Sequence, residues 1–336
     1  MDAFIRRFPV ETLAKQRHSS GVDALFERWV LPGESAGAHG LRLAIRNGYL
    51  NFYVKGQSVG ELRMLGEWPR LKLHRKYLEL AENGSLEARD LGQKYAKVDA
   101  ETLSRTGPDV VDAWIRTAET YAGDEKRFVD HLIAVTAGTI DMEMALPADV
   151  DADERSAPRM DLVVAQGQEI AFWEAKCAVN GELRARAPYC EASDGGYVEG
   201  PHVLWQLRRY ERWVGRPHRL EQVRDAYVAT AQQLLALAEI FGKRGPAIDA
   251  WRVLAGAGKG ASVILPPGIV IADYCPLCAG GEARDEAAAY AAKVRSFPDH
   301  EARLVAHGAA VMRIDQKPDR AVLPHLIPGA ISDKEQ

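Results

Sequence analysis

Residues 159–176, RMDLVVAQGQEIAFWEAK, carry charges where buried strands should be apolar. Two apolar runs flank a Gln-Gly turn, with Asp161 in the first and Glu174 and Lys176 in the second. Side chains alternate along a strand, so Ile170, Phe172, Glu174 and Lys176 share one face. A hairpin loop of two or four residues pairs Asp161 with Glu174 or Phe172, and either register puts Asp161 on that face. Two carboxylates and an ammonium on one side of a buried sheet are costly unless they pair or bind metal. Hard carboxylate oxygens suit Mg²⁺ or Mn²⁺, and such an ion beside an ammonium suits phosphodiester hydrolysis. The triplet acid-x-Lys is uninformative alone, since it also occurs at Asp124–Lys126 and Asp315–Lys317. Only Glu174–Lys176 lies in a hairpin with an in-face Asp. A buried or strand-end ion pair between Glu174 and Lys176 is the competing reading.

The elements around this hairpin alternate in type. Helices are expected from Pro108 to about Tyr121 and over Asp124–Ala137, then strands Thr139–Leu146, Arg159–Ala165 and Glu169–Cys177. A loop over 180–200 precedes helix Pro201–Trp213 and another at about 221–242. Strand Gly268–Asp273, helix Asp285–His307 and strand Ala309–Ile314 complete an α/β unit, a mixed central sheet flanked by helices. It occupies 106–336, after a small β-rich N-terminal α+β module over 1–105. That module holds a helix near Gly21–Leu31, the run LRLAIR-NG-YLNFYVK, a strand at Arg70–His74, and helix and linker over 75–107. Asn47-Gly48 between alternating runs predicts a hairpin with a type I′ turn, pairing Arg46 with Tyr49 and Arg42 with Tyr53. Its apolar face must pack on a core. Its polar face interleaves Arg42, Arg46 and Lys55 with Tyr49 and Tyr53, a combination that suits phosphates and stacked bases. Residues 41–76 carry +6 in a chain that is −10 elsewhere. The other reading of that face is an ordinary solvated surface.

With Asp161, a turn, and Glu174-Ala175-Lys176 on the adjoining strand, residues 108–315 resemble the PD-(D/E)xK nuclease superfamily. Met160 stands where that motif usually has Pro. Gln206-Leu-Arg-Arg-Tyr210 resembles the Gln-x-x-x-Tyr motif of the branch that includes the RecB nuclease domain and lambda exonuclease. The resemblance implies a restriction-endonuclease-like core and Mg²⁺- or Mn²⁺-dependent hydrolysis of DNA. It makes Asp161, Glu174 and the Ala175 carbonyl the metal ligands, with Glu125 as a third acid. Lys176 then orients water or binds the scissile phosphate. Gln206 and Tyr210 position the strand, and Arg208, Arg209 and Arg212 grip flanking phosphates. Glu125 lies on an apolar helical stripe with Phe128, Val129, Leu132 and Ile133; an ordinary first-turn acid is the alternative. Glu143, on a strand with Asp141, is its rival. The implied setting is restriction, phage defence or repair. An RNA-directed nuclease of the same fold, or an inactive nuclease-like binding module, is the alternative function.

The composition limits other classes. At 336 residues and net charge −4, the chain can bury a core of about two domains. No apolar run approaches a membrane span, and the N-terminus lacks the apolar segment of a signal peptide. Four cysteines make no disulfide framework, so the cytoplasm is the expected compartment. Cys275-Pro-Leu-Cys278 reads as a loop pair, because the family's cluster-bearing members place one Cys ahead of the core and none precedes Cys177. Gly256-Ala-Gly-Lys259-Gly260 lacks the spacing and Ser/Thr of a phosphate loop. No helicase or reader domain is recognisable, which leaves targeting to a partner protein; a homo-oligomer is the other partner expected.

Overall fold

A computed structural model of the chain describes residues 4–16, 19–79, 94–146, 159–184, 186–191, 197–279, 284–295 and 300–323. The expected acidic loop after residue 146 and the last dozen residues lie outside these. The described elements form an α/β protein with a five-stranded antiparallel sheet, a two-stranded antiparallel pair and a mixed sheet.

The chain begins with α1 (Val10–Lys15) and α2 (Ser20–Glu27), followed by β1 (Arg42–Arg46), β2 (Tyr49–Val54), β3 (Gln57–Leu65) and β4 (Trp68–His74). Helix α3 (Lys76–Glu79), β5 (Tyr95–Val98), α4 (Ala100–Arg105) and α5 (Pro108–Glu119) come next. The five strands form an antiparallel meander in chain order. The β1–β2 register is the expected one, Arg46↔Tyr49 through Arg42↔Tyr53. The turn is not type I′, however. Gly48 has φ +82° but Asn47 is not left-handed, because Asn47 forms a bridge with Arg7 and Gly48 N–H donates to the Arg7 carbonyl. Leu43, Ile45, Leu50 and Phe52 pack with Phe26 and Trp114 in the larger apolar cluster. Each such fully buried side chain contributes about 1.5–3 kcal/mol.

Helix α6 (Asp124–Val135) leads into β6 (Thr139–Ala145), β7 (Arg159–Gln166) and β8 (Glu169–Cys177). A two-stranded pair, β9 (Arg186–Glu191) and β10 (Tyr197–Pro201), lies in the stretch expected as loop. Then come α7 (His202–Val214), α8 (Pro217–Ile240), α9 (Ala247–Ala257), β11 (Ser262–Val263) and β12 (Gly268–Ala272). Helices α10 (Arg284–Arg295) and α11 (His300–Ala306) stand where one helix was expected, before β13 (Ala310–Ile314). The mixed sheet runs β13-β12-β8-β7-β6, with β11 also on β8. Strands β6, β7 and β8 are antiparallel neighbours, whereas β8, β12 and β13 are parallel. Parallel neighbours need long crossovers, and helices α7–α9 and α10–α11 supply them.

The central strand β8 is covered on both faces, which explains its near-continuous apolar character. Ile170 and Phe172 join the cluster that includes Tyr210 and Tyr227. Ala171, Trp173 and Ala175 face Phe128, Val129 and Leu132 of α6. The larger cluster spans residues on both sides of position 105, so the meander and the mixed sheet share one apolar core.

Candidate active site at the open end of the β7–β8 hairpin

A two-residue turn, Gly167-Gln168 with Gly167 at φ +63°, fixes the β7–β8 register. Pairing runs from Gln166↔Glu169 to Leu162↔Trp173 and stops there. The next rung would oppose Asp161 and Glu174, the closer of the two expected registers. Instead, Ala175 N–H donates to Asp161 Oδ2 at 2.8 Å. Beyond that point β8 continues alone against β12, with Glu174 beside Ile269 and Lys176 beside Ile271. The end of the ladder thus leaves Asp161, Glu174 and Lys176 together on one face.

Glu174 and Lys176 are only 3% and 7% exposed. Lys176 Nζ lies 2.8 Å from Glu174 Oε1, 2.9 Å from Glu182 Oε2 and 3.6 Å from Glu125 Oε2. Glu174 Oε2 is buried with no hydrogen-bond partner among the described residues. Burial pushes the Glu174 carboxyl up to about 7, against the pull of Lys176. Burial and then the Glu174 charge raise Asp161 well above the usual carboxylate range. For Lys176, burial opposes the charge, but Glu174, Asp161 and Glu125 outweigh it and hold the ammonium protonated. Between the ordinary carboxyl pKa of 4.5 and about 7, the folded protein therefore holds a proton on Glu174 that the unfolded chain has released. Stability of the metal-free protein should accordingly fall as pH rises through that window. Urea titrations in EDTA across it should show the decline, and Glu174→Gln should flatten it.

The remaining expected ligands and contacts are placed less simply. Glu125 does not gather with Asp161 and Glu174 into a three-acid set; its oxygens accept from Asn180 Nδ2 at 2.6 and 3.0 Å and face Lys176. Burial raises its pKa. Among the described residues, no three His, Cys, Asp or Glu side chains form a ligand cluster. Glu143 lies across from Asp161 in the β6–β7 register and is among the charges that raise it. A register shift between Thr139 and Asp141 and the φ of +51° at Glu143 break the expected alternation, so that Met142 joins one apolar cluster while Ile140 and Met144 join the other. The Ala175 amide serves Asp161, as described above. Glu182 and Asn180 escaped sequence reasoning. They sit on the turn just after β8, where Asn180 Oδ1 caps Glu182 N–H at 2.7 Å; an Asn-Gly pair ending the strand was the only signal.

On α7, Gln206 Oε1 is buried without a partner among the described residues. Tyr210, expected to position substrate, is instead fully buried and donates its hydroxyl to the Met144 carbonyl at 2.6 Å. It braces β6 behind the acids. Tyr210→Phe should therefore cost about 1 kcal/mol of stability, measurable by denaturant midpoint, because the Met144 oxygen loses its donor. Arg208 holds Glu211 at 2.9 Å and the His307 carbonyl at 3.1 Å. Arg209 lies 4.3 Å over the Trp205 ring, and Arg212 is exposed.

The expected nucleic-acid face of the β1–β2 hairpin requires correction. Arg42 and Arg46 are buried, and Tyr53 with them. Arg42 pairs with Asp130 at 3.0 Å and donates to the Val30, Leu31 and Glu34 carbonyls. Arg46 pairs with Asp141, which also binds Arg6 at 3.2 Å. The Tyr53 hydroxyl accepts from Arg46 and from Asn51. Lys55 holds the Gly37 carbonyl at 2.9 Å and lies 3.6 Å from Asp130. Tyr49 is half-buried under the Arg63 guanidinium. The face is a polar seam against α6 and β6 rather than a solvated platform. Nearby, Gly56 at φ +73° packs so closely on α6 that a Cβ would meet the Lys126 carbonyl at 2.7 Å.

Cys275 and Cys278 lie side by side after β12, Sγ to Sγ 2.7 Å. No helix among the described residues is long and apolar enough to cross a membrane. Compared with known proteins, the chain matches no family model, no curated protein and no solved structure.

Proposed function

We propose that the chain is a metal-dependent deoxyribonuclease with a restriction-endonuclease-like core. The observation that carries this reading is the meeting of Asp161, Glu174 and Lys176 where the β7–β8 ladder ends. Two further features support it. The order of one helix, three antiparallel strands, helices and a parallel strand supports a core of the kind the resemblance implies. Glu174 Oε2 is a buried oxygen lacking a partner among the described residues, as expected of a ligand position.

The residues present fit a hard divalent cation. Mg²⁺ is commonly held by one or two carboxylates and keeps several waters, so two acids and the Ala175 carbonyl suffice without a third carboxylate. Asp161 and Glu174 would hold it. When bound, it supplies charge neutralisation and an acidified water for attack on phosphorus. The Ala175 amide fixes the Asp161 carboxylate, and Glu182 and Glu125 keep the Lys176 ammonium charged and in place. That ammonium is suited to the negative charge of the phosphate as it reacts.

The inactive binding-module reading is favoured by a separate observation: Lys176 already occupies Glu174 Oε1, and no three-acid cluster forms among the described residues. One assay separates the two. The chain is incubated with plasmid, linear duplex, single-stranded DNA and RNA in Mg²⁺, Mn²⁺ or EDTA. DNA cleavage that requires the metal is the expected result. Cleavage of nothing would overturn the enzyme, and cleavage of RNA alone would overturn the substrate.

A further inference from the structure

We infer that the outer face of the meander, over β3, β4 and β5, is a binding surface for single-stranded DNA. The choice of DNA rests on the proposed function; the surface itself is argued from its residues. Strand register puts Glu61 opposite Lys72, Arg63 opposite Arg70 and Leu65 opposite Trp68. Strand β5 adds Lys97 beside Lys72 and Tyr95 beside His74. These side chains share one face because alternate positions, Leu62, Leu71, Leu73 and Val98, are buried on the other.

The charge on this face is complementary to a polyanion. Three cations, Arg63, Lys72 and Lys97, stand against Glu61 on the strands, with Glu67 in the turn, whereas Arg70 at the Trp68 end lies beside Asp99 and Glu101. Glu61 is bonded between Arg63 at 3.1 Å and Lys72 at 3.0 Å, which aligns those two cations along the surface. Arg70 and Lys97 are exposed. Such clustering in a chain of net charge −4 concentrates attraction for phosphates in one place.

Aromatic rings lie among these cations. Trp68 is 63% exposed and Tyr95 41%, both unusual for large apolar surfaces. Lys72 lies 4.3 Å over the Tyr95 ring and Arg63 4.2 Å over the Tyr49 ring, so cation and ring are held as units. Exposed rings can stack on unpaired bases, whereas the bases of a duplex are already stacked on one another. That favours a single strand.

The face also leads toward the candidate active site. A cleft of about 410 Å³ is lined by Tyr49, Glu61 and Tyr95 of the meander and by Glu143 and Arg159 of β6 and β7. Glu143 is the residue across from Asp161. A strand lying on the meander would thus reach the edge of the mixed sheet beside the acids.

The test measures binding in EDTA, so it is independent of cleavage. A labelled oligothymidylate of about twenty nucleotides, longer than one such face spans, is titrated by fluorescence anisotropy at several salt concentrations. Trp68→Ala and Tyr95→Ala should each weaken binding roughly tenfold. Arg70→Gln with Lys97→Gln should flatten the log–log salt slope by about 1.4, the loss of two phosphate contacts on a single strand. All four side chains are exposed, so the variants should fold, and circular dichroism checks that they do. Lys259→Gln, an exposed cation outside this face, serves as a control that should bind as wild type does. Unchanged affinity and slope in the folded variants would overturn the surface. Tighter binding of a matched duplex would overturn the single-strand preference, and tighter binding of oligouridylate the choice of DNA. A chain that binds here but does not cut leaves this surface standing without the nuclease. One that cuts but ignores these substitutions does the reverse.

Discussion

Asp161→Asn, Glu174→Gln and Lys176→Met should each reduce metal-dependent DNA cleavage by about a thousandfold or more while the protein remains folded. A factor of that size corresponds to about 4 kcal/mol of barrier, within the range for removing a pre-organised charge from a reacting centre. The near-isosteric replacements matter because Glu174 and Lys176 are a buried pair, 2.8 Å apart. Truncation to Ala would add a cavity to the loss of the charge partner, which would confuse folding with chemistry. Glu174→Gln is the mildest of the three, since burial already pushes this carboxyl up to about 7 and a neutral group suits the site. Lys176→Met leaves Glu182 and Glu125 facing an apolar tip, and water at their half-exposed carboxylates should limit that cost. Initial rates in Mg²⁺ and Mn²⁺, with urea midpoints for each variant, supply the measurement. A folded Lys176→Met protein that cuts at the wild-type rate would sink the assignment of this strand.

What was legible in the sequence depended on how local the cause was. Alternation and Asn47-Gly48 set the β1–β2 register, because hairpin pairing is a property of neighbouring residues. Likewise, the shared parity of Glu174 and Lys176 follows from strand geometry alone. The function assigned to Arg42 and Arg46 did not survive, because their partners Asp130 and Asp141 lie 88 and 95 residues away. A row of cations beside tyrosines looks the same whether it meets solvent or a buried carboxylate. Strand β3 was overlooked because its run QSVGELRML mixes charge and Gly60, where a Cβ would meet Leu73 at 2.7 Å. Glu143 shows a different limit, since its left-handed backbone cancels the alternation from which its facing was read. The same sheet whose polar hairpin turned out to be buried carries its exposed cations two strands further on. Composition had located the charge correctly over 41–76 but could not say which half of it faced water.

Asp141→Ala should be among the most destabilising single substitutions in the chain, costing about 3–5 kcal/mol. Its side chain is fully buried and accepts from Arg6, Arg46 and the Tyr227 hydroxyl. Burial disfavours the Arg46 charge, yet Asp141 outweighs it and raises the guanidinium pKa further. Arg46 therefore stays ionised, and removing the carboxylate strips both buried guanidinium groups of their shared partner. The loss is also structural, because this one side chain ties the N-terminal segment, the meander and β6 together. Asp130→Ala supplies the comparison. It removes the carboxylate partner of Arg42, but that guanidinium keeps three backbone carbonyls as acceptors, and Lys55 keeps Gly37. The smaller loss should fall to Asp130→Ala, by at least about 1 kcal/mol. Against a total stability of about 5–15 kcal/mol for a domain, the Asp141 variant would approach the unfolding threshold. Denaturant midpoints for the two proteins decide the matter: equal losses, or less than about 1 kcal/mol for Asp141→Ala, would mean that this seam does not hold the two sheets together.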